Sequence, residues 1–157
     1  RIYLSETIDQ TEDVSIENAI LIECNIDDMN PEQYEYLLEL LFDAGVSDAW
    51  LTPIIMKKSR PAITISVLCK PELADNMKEI LFKNARTIGL REQQLTKNVL
   101  RREEKTITTS LGQVKIKESF FKGKKVNAKP EYEDCKMIAK KLNISLLEVE
   151  KEILKYI

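Results

Sequence analysis

Ala19-Ile20-Leu21-Ile22-Glu23-Cys24-Asn25-Ile26, followed at once by Asp27-Asp28 and then by Asn30-Pro31-Glu32-Gln33, is the stretch that decides the fold. The first eight residues form a short apolar run rich in β-formers, the signature of a central strand. Side chains alternate across a strand, so Ile20, Ile22, Cys24 and Ile26 share one face and Glu23, Asn25 and Asp27 share the other. Asn30 can cap a helix, Pro31 suits its first position, and Gln33 can complete a capping box. Tyr34, Leu37, Leu38 and Leu41 continue at helical spacing up to Gly45, a fitting stop.

Downstream, Val46–Met56 reads as a second strand, placed at a sheet edge because Pro53 lacks an N–H. Lys57-Lys58-Ser59-Arg60-Pro61 is the turn. Ile63, Ile65, Val67 and Cys69 alternate with Thr64, Ser66 and Leu68 in a third, half-buried strand. Pro71 opens a second helix with the stripe Leu73, Met77, Ile80 and Leu81. Thr87-Ile88-Gly89 closes it, and a fourth strand begins near Leu90. The order β-α-β-β-α-β predicts an α+β chain with a ferredoxin-like split β-α-β core. Thr106–Ser110 and Val114–Glu118, joined through Leu111-Gly112-Gln113, predict a hairpin, with a further strand over Lys125–Ala128. One helix starts at Pro130, and a second is announced by the capping box Ser145-Leu146-Leu147-Glu148 before Val149, Ile153 and Ile157. The expected organisation is a linker over 1–17, a ferredoxin-like domain over 18–104, and a C-terminal extension of hairpin and two helices over 105–157. Ser5 to Glu17 is acidic, polar and aperiodic. The start at Arg1-Ile-Tyr-Leu, without Met, points to a preceding domain.

A chain of 157 residues can bury about two-thirds of its unfolded surface, so folding requires neither disulfide nor structural metal. Its 24 basic and 26 acidic side chains nearly balance, which argues against a general nucleic-acid or membrane binder. Cys24, Cys69 and Cys135 form an odd set without CxxC spacing and read as buried thiols of a reducing, cytoplasmic compartment. No apolar run approaches the ~20 residues that span a bilayer.

The residues that carry chemistry are few. Glu23, Asn25, Asp27 and Asp28 offer only oxygen donors, which suits Mg²⁺ or Mn²⁺. They also fit a plainer role, as a solvated strand face and as charges favoured at a helix N-terminus. The chain has no His, which argues against a dedicated Ni²⁺ or Zn²⁺ site and against a hydrolytic triad. Lys57, Lys58 and Arg60 make a basic turn. Thr87, Gly89 and Arg91 combine a hydroxyl, a flexible backbone and a guanidinium that can grip phosphate oxygens. Lys129-Pro130-Glu131-Tyr132-Glu133-Asp134 sets three acids at the start of a helix, either as compensation of the helix dipole or as further oxygen ligands or a general base.

Taken together, Glu23-Cys24-Asn25-Ile26-Asp27-Asp28-Met29 with Pro31-Glu32, Asp48 through Pro61, Thr87-Ile88-Gly89-Leu90-Arg91 and Lys129 through Asp134 resemble one family. It is the C-terminal part of LarC, the nickel-insertion proteins of nickel-pincer cofactor synthesis. The resemblance covers about Ile20 to the C-terminus, with Leu90 and Ala62 as mild departures. It implies a cyclometallase, of the lyase class, that inserts nickel into pyridinium bis-thiocarboxylic acid mononucleotide in a reaction using CTP with Mg²⁺ or Mn²⁺. On it rest the expected roles: Lys57, Lys58, Arg60, Thr87, Gly89, Arg91 and Lys129 on the nucleotide; Glu23, Asp27, Asp28, Glu131 and Asp134 on the metal; Asp27, Asp28 and Glu133 in catalysis. The Lys57–Arg60 turn is expected at the opposite end of the sheet from Asp27 and Arg91. It would then reach a neighbouring subunit's site in a homo-oligomer. A metabolite-binding regulatory module without turnover is the competing reading. An RNA-recognition module is disfavoured because Glu23-Cys24-Asn25 and Thr64-Ile65-Ser66 carry no aromatic for base stacking.

Overall fold

The computed structural model describes residues 13–157; the expected linker residues 1–12 lie outside the described residues. The elements are β1 (Val14–Ile26), α1 (Glu32–Asp43), β2 (Asp48–Met56), β3 (Arg60–Cys69), α2 (Ala74–Asn84), β4 (Arg91–Thr109), β5 (Gly112–Phe121), β6 (Lys124–Pro130), α3 (Tyr132–Leu142) and α4 (Leu146–Ile153). The chain is α+β and divides into two compact units, Ile16–Lys97 and Asn98–Ile157, the latter also taking in residues 13–15. The division runs through the 19-residue strand β4, between Lys97 and Asn98. Strand β1 also begins at Val14, inside the expected linker. Ser15–Asn18 are exposed, and the alternation of Val14 and Ile16 with Ser15 and Glu17 is too short to stand out from the acidic stretch before it; Ser15 Oγ donates to the Val99 carbonyl at 3.4 Å.

In the Ile16–Lys97 unit the strand order is β2-β3-β1-β4, and β3 runs antiparallel to both β1 and β2. Ile20, Ile22, Cys24 and Ile26 are buried with Leu37 and Leu41 of α1, Ile65 and Val67 of β3, and Met77 and Leu81 of α2. Both helices therefore bury their apolar stripes against one face of the sheet. Fully burying one such Ile or Leu contributes roughly 1.5–3 kcal/mol. Helix α1 begins at Glu32 with Pro31, at a helical φ of −51°, in the cap position; Asn30 Oδ1 accepts from the Glu32 N–H at 3.1 Å, and the capping box expected of Gln33 does not form. Gly45, at φ 87°, lets the chain reverse into β2. Pro53 sits in β2, which pairs only with β3 and forms the edge of this unit's order.

In the Asn98–Ile157 unit, β4, β5 and β6 pair in sequence order, both pairs antiparallel. Val114 and Ile116 of β5 are buried with Cys135 and Ile138 of α3 and Val149 and Ile153 of α4. Ser145 and Glu148 form the expected capping box at α4. Helix α3 begins two residues later than Pro130, because β6 extends through that residue.

Asp13 pins this unit. It is 4% exposed. Its carboxylate accepts from Arg101 Nε at 2.7 Å and from the Gly123 N–H at 2.5 Å, while the Arg101 guanidinium lies 4.2 Å from the centre of the Phe120 ring. The Arg101 hydrogen bond, then the Gly123 N–H, hold the Asp13 carboxyl below the usual carboxylate range. A depressed folded-state pKa gives stability that is full above the unfolded value of about 3.9 and is lost as pH falls through the folded value. Thermal melts of the chain from neutral to strongly acid pH should show this limb. Asp13→Asn should lower Tm at neutral pH and flatten that acid limb; an unchanged limb in the variant would contradict the assignment.

Candidate functional site

The polar face of β1 is a ladder whose rungs are set by register. Glu23 stands opposite Ser66, and Asn25 opposite Thr64. Ser66 Oγ donates to Glu23 Oε1 at 2.8 Å, and Thr64 Oγ1 donates to Asn25 Oδ1 at 2.9 Å. Beyond the end of the strand, Arg60 Nη1 donates to Asp27 Oδ2 at 3.0 Å. On the other side of β1, Arg91 Nη2 donates to Asn25 Oδ1 at 2.8 Å and lies 3.9 Å from Glu23 Oε2. Asn25 thus stands between a cation from β4 and, two residues on, a carboxylate held by a cation from the β2–β3 turn.

This geometry corrects one expectation. The Lys57–Arg60 turn is at the same end of the sheet as Asp27 and Arg91, not the opposite end. Strands β1 and β2 are both antiparallel to β3, so they run parallel to each other and their C-terminal ends share an edge. Strand β4 meets β1 head to tail, with Lys97 at Glu17 and Arg91 at Glu23, which brings its start to that edge too. The geometric ground for expecting a subunit interface at this turn therefore falls away.

The loop Thr87-Ile88-Gly89 feeds Arg91 into place. Thr87 Oγ1 donates to the Gly89 carbonyl at 2.8 Å and accepts from the Gly89 N–H at 3.3 Å. Beneath it, burial pushes the Cys24 thiol up, partly offset by the Thr87 hydroxyl and the Arg91 charge. Burial also pushes the Tyr34 phenol up, with smaller contributions from Cys24 and the Asp28 carboxylate. Asp28 itself is exposed.

The remaining residues belong to the other unit and are largely engaged there. Glu131 holds Lys117 Nζ at 2.6 Å. Asp134 Oδ2 accepts from the Lys115 N–H at 2.8 Å, tying α3 to β5, and Glu133 pairs with Lys136 at 3.1 Å. Lys129 lies on β6 opposite Lys117. Among the described residues no group of three or more His, Cys, Asp or Glu side chains is gathered to hold a metal ion. Asp27 and Asp28 can still serve a nucleotide-borne Mg²⁺ or Mn²⁺. Such ions use one or two carboxylates plus phosphate oxygens and waters, not an all-protein cage. Sequence reading missed Arg102, Lys117, Ser119 and Asn127, which line a second recess with Lys129 and Tyr132. The signal was present in the alternating Lys115 and Lys117 of β5, but charge alternation on a hairpin is common on solvated faces.

A family model described as "Nickel insertion protein" matches residues 1–150. The pyridinium-3,5-bisthiocarboxylic acid mononucleotide nickel insertion protein of Clostridium kluyveri is 42% identical over 153 residues, 98% of this chain and 38% of that protein. The protein of the same name from Thermotoga petrophila is 44% identical over 133 residues, 85% of this chain and 34% of that protein. The chain therefore spans little more than a third of these relatives' length. Among solved structures, the apo C-terminal domain of a cyclometallase involved in the synthesis of the NPN cofactor of lactate racemase superposes with a TM-score of 0.85 at 31% identity. That match covers 89% of this chain and 96% of that one. The chain belongs to the nickel insertion protein family.

Proposed function

We propose that this chain is the nucleotide-binding part of a CTP-dependent nickel insertase, active within a longer protein. Its substrates are nickel and pyridinium-3,5-bisthiocarboxylic acid mononucleotide, the compound in the relatives' names. The reaction is a cyclometallation of the lyase class, in the cytoplasm, where the three free, buried thiols stay reduced. The unit that does this work is read as a split β-α-β core, supported by the order β2-β3-β1-β4 and the two helices on one face.

The single observation that carries the reading is the convergence of Arg60 and Arg91 on the Asn25–Asp27 edge. Lys57 and Lys58 precede Arg60 in the same turn, and Thr87 and Gly89 precede Arg91. Guanidinium groups grip phosphate oxygens bidentately, and Lys adds point charges. A triphosphate takes Arg60 and Arg91 as partners, which frees the Asp27 carboxylate for the accompanying Mg²⁺ or Mn²⁺. Asp28 and Glu23 supply the further oxygens of that edge. The divalent ion would neutralise phosphate charge. The chain's own residues bind and orient the triphosphate.

The test is a thermal-shift series with CTP, ATP, GTP and UTP, each with Mg²⁺ or Mn²⁺. Ligand that binds only the folded form must raise the melting temperature by mass action. CTP with either metal should give the largest shift. Arg91→Gln or Arg60→Gln should weaken CTP binding by about tenfold to a hundredfold, equivalent to about 1.4–2.8 kcal/mol. Asp27→Asn should leave metal-free binding intact and abolish the gain from metal. Absence of any nucleotide shift would sink the reading. Binding without turnover in the full-length protein, given nickel and the mononucleotide, would favour a regulatory module instead.

A further inference from the structure

Strands β4, β5 and β6 bury Val114 and Ile116 under α3 and α4, so alternate residues face the other way. On that other face a recess of about 360 Å³ is lined by Arg102, Lys117, Ser119, Asn127, Lys129 and Tyr132, together with Pro130 and the Glu131 carboxylate. Register explains the grouping: Arg102 is opposite Ser119, Ser119 opposite Asn127, and Lys117 opposite Lys129. Like charges directly opposite each other across an antiparallel pair destabilise it. Glu131 at 2.6 Å and Glu104 at 3.9 Å compensate Lys117. Among the described residues, Arg102 and Lys129 have no ion-pair partner. The face therefore keeps two uncompensated cations beside a third. An anion between Arg102 and Lys129 would complete the charge balance of this face.

The other lining groups narrow the anion's identity. Ser119 and Asn127 are neutral donors and acceptors suited to ribose hydroxyls. Tyr132, 55% exposed, offers an aromatic surface that already draws a cation, Lys136 Nζ lying 5.6 Å from its ring centre. Tyr rings attract cations, including flat cationic rings, through their quadrupole. The volume falls at the lower end of small-ligand pockets, about 300–1,000 Å³, which fits a mononucleotide.

We infer that this recess binds a pyridinium mononucleotide, with its phosphate on Arg102 and Lys129 and its cationic ring against Tyr132. The inference rests on the function proposed above, which makes such a compound a substrate, and adds where the chain holds it. Lys129 then meets the mononucleotide, not the triphosphate.

Nicotinamide mononucleotide, a pyridinium ribonucleotide, is the probe, and its binding is followed by titration calorimetry beside CTP with Mg²⁺. Arg102→Gln and Lys129→Gln should each weaken the probe by about tenfold or more while CTP affinity stays within about twofold. Tyr132→Leu should weaken it and Tyr132→Phe restore it. Nicotinamide riboside, which lacks the phosphate, should bind weakly and be indifferent to the Arg102 and Lys129 changes. Melting curves of the variants establish that they are folded. CTP binding with no probe binding by the wild type overturns this inference alone. So does probe binding that is unmoved by these variants, or a loss of CTP rather than probe affinity. A wild-type chain that binds neither compound overturns the proposed function and this inference with it.

Discussion

Strand β1 cannot slip by one residue against β3, and the candidate site exists because of that. The present register sets Ile20, Ile22, Cys24 and Ile26 into the core and lays Glu23 and Asn25 beside Ser66 and Thr64. A slip by one would exchange the faces. It would drive a carboxylate and an amide among Leu37, Leu41, Met77 and Leu81 and would expose three isoleucines. Burying an unpaired carboxylate costs far more than any ladder hydrogen bond returns. The hydrophobic core and the polar edge are therefore one constraint seen from two sides. The same packing that stabilises the unit fixes Asn25 and Asp27 where two arginines converge.

The β2–β3 turn is harder to explain by stability. Lys58 and Ser59 take left-handed backbone conformations, φ 60° and 56°, where a non-glycine residue costs of order 1–3 kcal/mol. The Arg60–Asp27 pair leaves the two side chains 58% and 27% exposed, and pairs of this kind contribute about 0–1 kcal/mol. The contact does not offset the strain. The strand pairing down to Met56 and Arg60 holds the turn in that shape. A strained, cationic turn aimed at an acidic strand end makes physical sense as a preorganised anion grip, and little sense as a mere connection.

Much of this was legible in the residues. Alternation in 19–26, the stripe from Tyr34 to Leu41, Pro53 at an edge and the Ser145–Glu148 box each encode a local decision, and local decisions leave local signals. What was misread is relational. The position of the Lys57–Arg60 turn depends on strand direction across three elements, and no single segment carries it. The linker reading failed at Val14 for a related reason. An exposed strand end held by backbone pairing and by Lys97–Glu17 has too short an apolar alternation to betray it. Asp13, whose partners lie 88 and 110 residues away, looks like any acidic surface residue in sequence. The resemblance implies metal roles for Glu131 and Asp134 and a catalytic one for Glu133, and sequence leaves their contacts within the fold open. The partners of Glu131 and Asp134, Lys117 and the Lys115 N–H, appear only once β5 is paired beneath α3, whereas Glu133 meets Lys136 one turn on in its own helix.

On the proposed division of work, nickel itself is the cargo this chain is least suited to grasp. Borderline metals of its kind favour imidazole and thiolate, and the chain has no His. Its three cysteines are buried, and burial pushes each thiol up, away from the thiolate that binds metal. Drawing a thiolate from Cys24 would require opening the core that sets the β1 register, and so would dismantle the edge formed by Asn25, Asp27, Arg60 and Arg91. On the function proposed above, a chain whose Asn25–Asp27 edge depends on that thiol staying neutral and packed holds the organic and phosphate partners of the reaction and leaves the metal to groups outside that core.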